Sequence, residues 1–104
     1  MRALASLRRQ SDFARLRRHG RRVSTKSLTI YRGEALAGDT RSLVGITVNK
    51  AIGKAVVRNK LRRRLSAIVR EALAPRDAMR LLVVARPSAA ELSFGDLQAE
   101  VTSA

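Results

Sequence analysis

The chain has no cysteine, one histidine, three aromatic residues and eight acids. Without cysteine there is no disulfide and no thiolate metal site, which suits a reducing cytoplasm. The single histidine, His19, stands beside Gly20 and reads as a helix-end residue rather than a base. The few acids are not visibly paired, so the usual carboxylate and Cys–His catalytic pairs are missing. No apolar run approaches the ~18 residues of a membrane span. The N-terminal MRALASLRRQSDF lacks the apolar core of a signal peptide. With aromatics at 3%, a core must be built from Leu, Val, Ile and Ala.

What is present is positive charge. The 104 residues carry 22 Lys or Arg, a net charge of +14 and a pI of about 11.9. A hydrophobic content of 45% fits a folded chain, and the length fits one domain over residues 1–104. The charge is uneven. Residues 1–70 hold 19 Lys or Arg against Asp12, Glu34 and Asp39, whereas residues 71–104 hold three Arg against five acids. Charge on this scale speaks to partners rather than to fold, and the partner is a polyanion.

The organising stretch is Lys50 to Leu73, KAIGKAVVRNKLRRRLSAIVREAL. A turn at Gly53 leads into a predicted helix of about five turns, at ~3.6 residues per turn. Val57, Leu61, Leu65, Ile68, Val69, Ala72 and Leu73 share one helical face. Lys54, Arg58, Lys60, Arg62, Arg63, Arg64 and Arg70 occupy much of the rest. The arginines crowd the first half and the apolar residues the second, so one end is anchored and the other presents charge. The helix start, with its free N–H groups and positive dipole end, adds a phosphate site beside Lys50, Lys54 and Arg58. No acid occurs between Asp39 and Glu71 to neutralise it. A solvated surface helix would mix both signs.

Upstream, Ser11 or Asp12 is a predicted N-cap for a short helix that Gly20 stops, with Phe13, Leu16 and Arg17 on one side. Residues 1–10 read as irregular, and Arg21 to Thr25 as a basic connector. Lys26 to Arg32 and Ser42 to Asn49 alternate as strands. Leu28 and Ile30 oppose Ser27, Thr29 and Tyr31, while Val44, Ile46 and Val48 oppose Gly45, Thr47 and Asn49. Gly38-Asp39 is a hairpin cue between them. Downstream, Ala74-Pro75 ends the long helix, and Leu81 to Arg86 is a buried strand. Ser88 with Glu91, or Ser93 with Asp96, can cap a last helix that buries Leu92, Phe94, Leu97 and Val101. Tyr31 lies on the polar face of its strand, and Phe13 and Tyr31 both sit in basic surroundings. Aromatic faces beside arginines suit unstacked bases of single-stranded nucleic acid. A phosphate-binding loop at Gly53-Lys54 fails on spacing, and no Ser or Thr follows Lys54. A membrane-surface helix lacks Trp or Phe on its apolar face. A small basic ribosomal or DNA-binding protein explains the charge, but not Tyr31 or the order R-N-K-L-R-R.

Gly53-Lys54-Ala55-Val56-Val57-Arg58-Asn59-Lys60-Leu61-Arg62-Arg63 resembles the RNR motif region of the bacterial ribonuclease P protein subunit. The likeness extends to Asp12-Phe13, His19-Gly20, the strand ending in Tyr31, Val44 to Lys50, and Leu82 to Arg86. It covers about residues 7–101. It implies an α+β, αβββαβα sandwich similar to ribosomal protein S5 domain 2, with a left-handed βαβ crossover. By the same resemblance, Lys50, Lys54, Arg58, Asn59, Lys60, Arg62 and Arg63 would contact the catalytic ribonuclease P RNA. Phe13, Arg17, Tyr31 and Thr47 would hold the single-stranded 5′ leader of precursor tRNA. The RNA subunit would cleave the phosphodiester with bound Mg2+, one protein serving one RNA in the cytoplasm. The sequence departs from the family pattern at Lys60, which keeps charge but loses the bidentate fork. It also departs at Ser66, where Arg64 is the available substitute, and at Arg17, which stands at an often aromatic position.

Overall fold

In the computed structural model, residues 4–6, 10–34, 42–74 and 78–103 are described. In chain order the elements are β1 (Leu4–Ser6), α1 (Gln10–His19), β2 (Arg21–Ser24), β3 (Leu28–Glu34), β4 (Ser42–Thr47), α2 (Ala55–Leu73), β5 (Met79–Ala85) and α3 (Phe94–Ser103). Short 3-10 turns occupy Lys50–Ile52 and Pro87–Glu91. The strands form one mixed sheet in the order β1-β4-β5-β3-β2. β5 is central because its run is apolar on both sides, and Leu81, Leu82 and Val83 are all buried. β4 and β5 are parallel and joined through α2, whereas β3 runs antiparallel to both β5 and β2.

From α1 onwards the order is the expected αβββαβα, but three expectations change. Leu4–Ser6, within the segment expected to be irregular, pairs in parallel with Ser42–Val44 and adds a short edge strand. Arg21–Ser24, expected as a connector, is a strand, paired with Thr29–Arg32. Charged side chains suit such an edge because they discourage further pairing. α1 starts at Gln10, so Ser11 and Asp12 lie inside its first turn rather than before it. The hairpin cue at Gly38-Asp39 and the helix stop at Pro75 lie outside the described residues.

The alternation of the strands sorts two cores. On one face Leu28, Ile30, Leu81, Val83 and Ala85 meet Leu61, Leu65, Ile68, Val69 and Leu73 of α2 and Leu97 and Val101 of α3. On the other, buried Leu16 of α1 packs on Leu82, with Phe13, Tyr31, Leu43 and Val84 around them. Burying the five α2 residues contributes about 10 kcal/mol of gross hydrophobic free energy. All five lie between Leu61 and Leu73, so the first turn and a half of α2 is held only by its connection to them. Val56 is 78% exposed, and Val57, placed on the apolar face by spacing, is 38% exposed.

Of the two capping possibilities for the last helix, the Ser93 one forms, its Oγ accepting from the Asp96 N–H at 3.1 Å. Phe94, expected to be buried, is 41% exposed, because the helix turns Leu97 and Val101 inward instead. A polar knot ties α3 to the β2–β3 turn. Glu100 Oε1 accepts from Thr25 Oγ1 at 2.5 Å and from the Ser27 N–H at 2.9 Å. Burial raises the Glu100 pKa, but the Thr25 and Ser27 hydrogen bonds and the nearby Lys26 charge outweigh it, so the group sits below its ordinary value. A depressed carboxyl contributes stability that is complete above its unfolded value of ~4.3 and is lost as pH falls through the lower folded value. Denaturant titrations from pH 6 to pH 3 are therefore expected to show a smaller loss of stability for Glu100→Gln than for the unaltered chain. Equal losses in the two proteins would remove Glu100 from the acid response.

Candidate nucleic-acid interface

The basic surface starts where β4 ends. Thr47 closes the strand, and three residues later Lys50 opens the 3-10 turn. Asn49 caps that turn, its Oδ1 accepting from the Ala51 N–H at 3.1 Å. Gly53 follows with φ +147°, a backbone conformation that side chains rarely adopt. Its N–H returns to the Lys50 carbonyl at 3.2 Å, which makes the chain reverse tightly before α2.

Lys54 is the N-cap of α2 and makes no side-chain capping bond, and no acid lies in the first turn. The leading N–H groups therefore face outward with a net positive dipole end. Lys50, Lys54, Asn59, Lys60, Arg62 and Arg63 are exposed around this start, and Arg58 is half-buried. Asn59 Oδ1 accepts from Arg62 Nη1 at 3.0 Å, which steadies Arg62 along the helix. Arg58 Nε is buried with no hydrogen-bond partner. A buried donor without an acceptor costs about 1–3 kcal/mol, and Arg80 Nη1 on β5 is unpartnered in the same way. Arg64 does not join the basic face. Its Nη1 reaches the Leu92 carbonyl at 3.4 Å and ties α2 to the segment before α3, so it does not replace the arginine lost at Ser66.

A second surface lies on the sheet face under α1. Phe13, Ala14, Arg17 and Thr47 line an open groove of about 280 Å³. Gly45 lies against the Phe13 ring. A Cβ there would come within 2.6 Å of the Phe13 ring, so only glycine lets the ring lie flat on the strand. Register carries the same face across the sheet. Gly45 pairs with Leu82 and Leu82 with Tyr31, while Thr47 pairs with Val84 and Val84 with Thr29. Tyr31 is thus two strands from Gly45, or about 10 Å at ~4.8 Å per strand. Phe13, Arg17 and Thr47 come together, and Tyr31 stands apart on the same face. Tyr31 also packs against the Leu16–Leu82 pair, so it has a core role that its place on the polar face of the strand did not suggest.

The far end of this face is closed by Arg86. Its Nη2 donates to Thr29 Oγ1 at 2.7 Å and its Nη1 to the Thr25 carbonyl and, at 3.2 Å, to the Lys26 carbonyl. Ala14, Gly45, Val84 and the Arg86–Thr29 pair belong to the surface but were not among the expected site residues. Alternation alone puts Gly45 beside Thr47, whereas Val84 and Arg86 required the strand pairing. Among the described residues, no three His, Cys, Asp or Glu side chains cluster as a metal site.

The geometry is a basic helix end next to an aromatic, arginine-edged groove. The Ribonuclease P family model matches residues 1–104. The Thermobifida fusca ribonuclease P protein component is 40% identical over 105 residues, covering 94% of this chain and 71% of that one. The Acidothermus cellulolyticus ribonuclease P protein component is 42% identical over 95 residues, covering 90% and 79%. The solved ribonuclease P protein from Thermotoga maritima has a TM-score of 0.78 at 23% identity, covering 94% of this chain and 92% of that one, which supports the fold. This chain belongs to the ribonuclease P protein family, the RNA-binding protein subunits of a tRNA-processing enzyme.

Proposed function

We propose that this ribonuclease P subunit holds two RNAs on adjoining surfaces, the catalytic RNA on the α2 start and the precursor tRNA 5′ leader in the groove. The observation that carries the reading is an α2 start with no acid in its first turn, around which Lys50, Lys54, Lys60, Arg62 and Arg63 are exposed. Phosphate oxygens of the catalytic RNA meet the free N–H groups of the α2 start, and Lys50, Lys54, Arg58, Asn59, Lys60, Arg62 and Arg63 extend the contact. Release of counterions from that RNA drives association and makes it strongly salt-dependent.

The leader lies across the sheet as an extended single strand. One base stacks near Phe13, Arg17 contributes a phosphate contact or a cation–π contact, and Thr47 offers a hydroxyl at the floor. Tyr31, about 10 Å further on, receives a later nucleotide. Cleavage belongs to the RNA subunit, which also holds the Mg2+. The protein positions the substrate and lowers the electrostatic cost of bringing two polyanions together. One protein per RNA, acting in the cytoplasm, is the arrangement proposed. Among the described residues no helix is long and apolar enough to cross a membrane.

A cleavage assay at low Mg2+ tests the whole proposal. Bacterial ribonuclease P RNA and precursor tRNA are incubated with and without this chain, and stimulated cleavage at the mature 5′ end is expected. Tight, salt-sensitive RNA binding without stimulation would favour a ribosomal-type role instead.

Replacing Arg58 and Arg63 together by Ala is expected to weaken binding to the catalytic RNA by more than ~2 kcal/mol and to lower the log–log salt slope by about 2. Arg70→Ala, an exposed arginine at the anchored end of α2, serves as the comparison, and equal losses would count against the helix start. For the groove, Tyr31→Ala is expected to weaken a leader-bearing precursor while leaving mature tRNA affinity nearly unchanged. Because Tyr31 also packs on Leu16 and Leu82, Tyr31→Phe is measured beside it. If both variants lose affinity for the two tRNAs equally, the leader assignment for Tyr31 fails.

A further inference from the structure

On the opposite face of the sheet from the groove, α2, α3, β2, β3 and β5 line a partly open cavity of about 140 Å³. Its walls include Val69 and Leu73 of α2, Leu81 of β5 and Val101 of α3, and its rim carries Arg21 and Arg32. The two arginines are direct cross-strand partners on β2 and β3. Directly opposed residues of an antiparallel pair have Cβ atoms only ~4.5–5.5 Å apart, and like charges so placed repel. Arg32 is half-buried, so water screens its share of the repulsion incompletely. Two neighbouring arginines in the lining of a mainly apolar pocket have the composition of a ligand site, with a few polar groups fixing the orientation of an otherwise apolar guest.

We propose that this cavity binds a small carboxylate with a compact apolar body. The carboxylate bridges Arg21 and Arg32, where it removes their repulsion and accepts charge-assisted hydrogen bonds. The apolar body enters between α2 and α3. The volume suits a single six-membered ring, since a cavity of ~150 Å³ is large enough to take benzene. A nucleotide, with its ribose and phosphate attached, is too large for it. The strand face toward the cavity is not the one toward the groove, and the basic α2 start lies at the other end of that helix. Occupancy and RNA binding are therefore spatially independent.

The test uses benzoate as the probe, with methyl NMR of the full chain at constant ionic strength. Benzoate is expected to shift the methyl signals of Val69, Leu73, Leu81 and Val101 saturably. Benzyl alcohol, which keeps the ring and drops the charge, is expected to bind at least tenfold more weakly. Sulfate, which keeps charge and drops the ring, is expected to leave those methyls unmoved. The double variant Arg21→Gln with Arg32→Gln is expected to lose at least tenfold in benzoate affinity. No saturable methyl shift, or equal affinity for benzoate and benzyl alcohol in the unaltered chain, would overturn the proposal without reliance on any variant. Benzoate affinity unchanged in a folded double variant would overturn the role of the two arginines.

Discussion

The basic edge of the fold depends on how α2 is divided along its length. Its last three and a half turns bury Leu61, Leu65, Ile68, Val69 and Leu73 against the sheet. Its first turn and a half buries nothing comparable and carries Lys54, Arg58 and Lys60. Repulsion among those cations opposes the folded state by small increments, because exposed charges are screened by water and salt. The gross ~10 kcal/mol from the buried half is large beside such increments. The fold can therefore hold a concentration of like charge that an evenly amphipathic helix would neutralise with acids. The parallel β4–β5 pair sets where that charge points, because a crossover helix starts beyond the C-terminal end of the strand before it. Thr47 and Lys50 are neighbours for this reason, and so are the groove and the helix start.

The scarcity of aromatics shapes the other face of the sheet. Phe94 is exposed on α3, so only Phe13 and Tyr31 are available on the groove face. Gly45 lets Phe13 lie against β4, and the Leu16–Leu82 contact fixes α1 over the rest. The result is a narrow hydrophobic cluster that leaves one edge of Phe13 and the Arg17–Thr47 side open. A larger core on this face would have filled the groove. The polar knot of Thr25, Ser27, Arg86 and Glu100 closes the far end by hydrogen bonds rather than apolar bulk. This keeps the sheet rigid there without covering its face.

Much of this was legible in the residues, and the exceptions have physical causes. Period-two alternation identified β3 and β4, and the apolar run identified β5, because burial on one or two faces imposes those patterns. The α2 stripe and its basic half were equally readable. The edge strands were not. β1 has three residues and is recognised by its pairing with β4, while β2 carries two adjacent arginines that local reading assigns to a loop. Phe94 was misplaced because spacing along a short helix left its direction to the Ser93 cap. Tyr31 looked free of the core because alternation assigns a face but not what covers it. Arg64 looked like part of the basic surface until the turn before α3 came within reach of it.

The two surfaces share one electrostatic logic. Between Asp12 and Glu34, and again between Asp39 and Glu71, the chain has no acid, and these spans supply α1, β2, β3 and nearly all of α2. The acids gather after Glu71, and one of them, Glu100, is spent on holding α3 to the β2–β3 turn. A field of one sign over the groove and the helix start attracts any RNA, so it supplies affinity without choosing a sequence. Discrimination has to come from shape, and the groove that Phe13, Arg17 and Thr47 line beside the helix start is such a shape. Removing charge at random would weaken the field over both surfaces together. Changing Gly45 or the packing under Phe13 would alter the groove while leaving the helix start intact, which separates the two roles physically within one small domain.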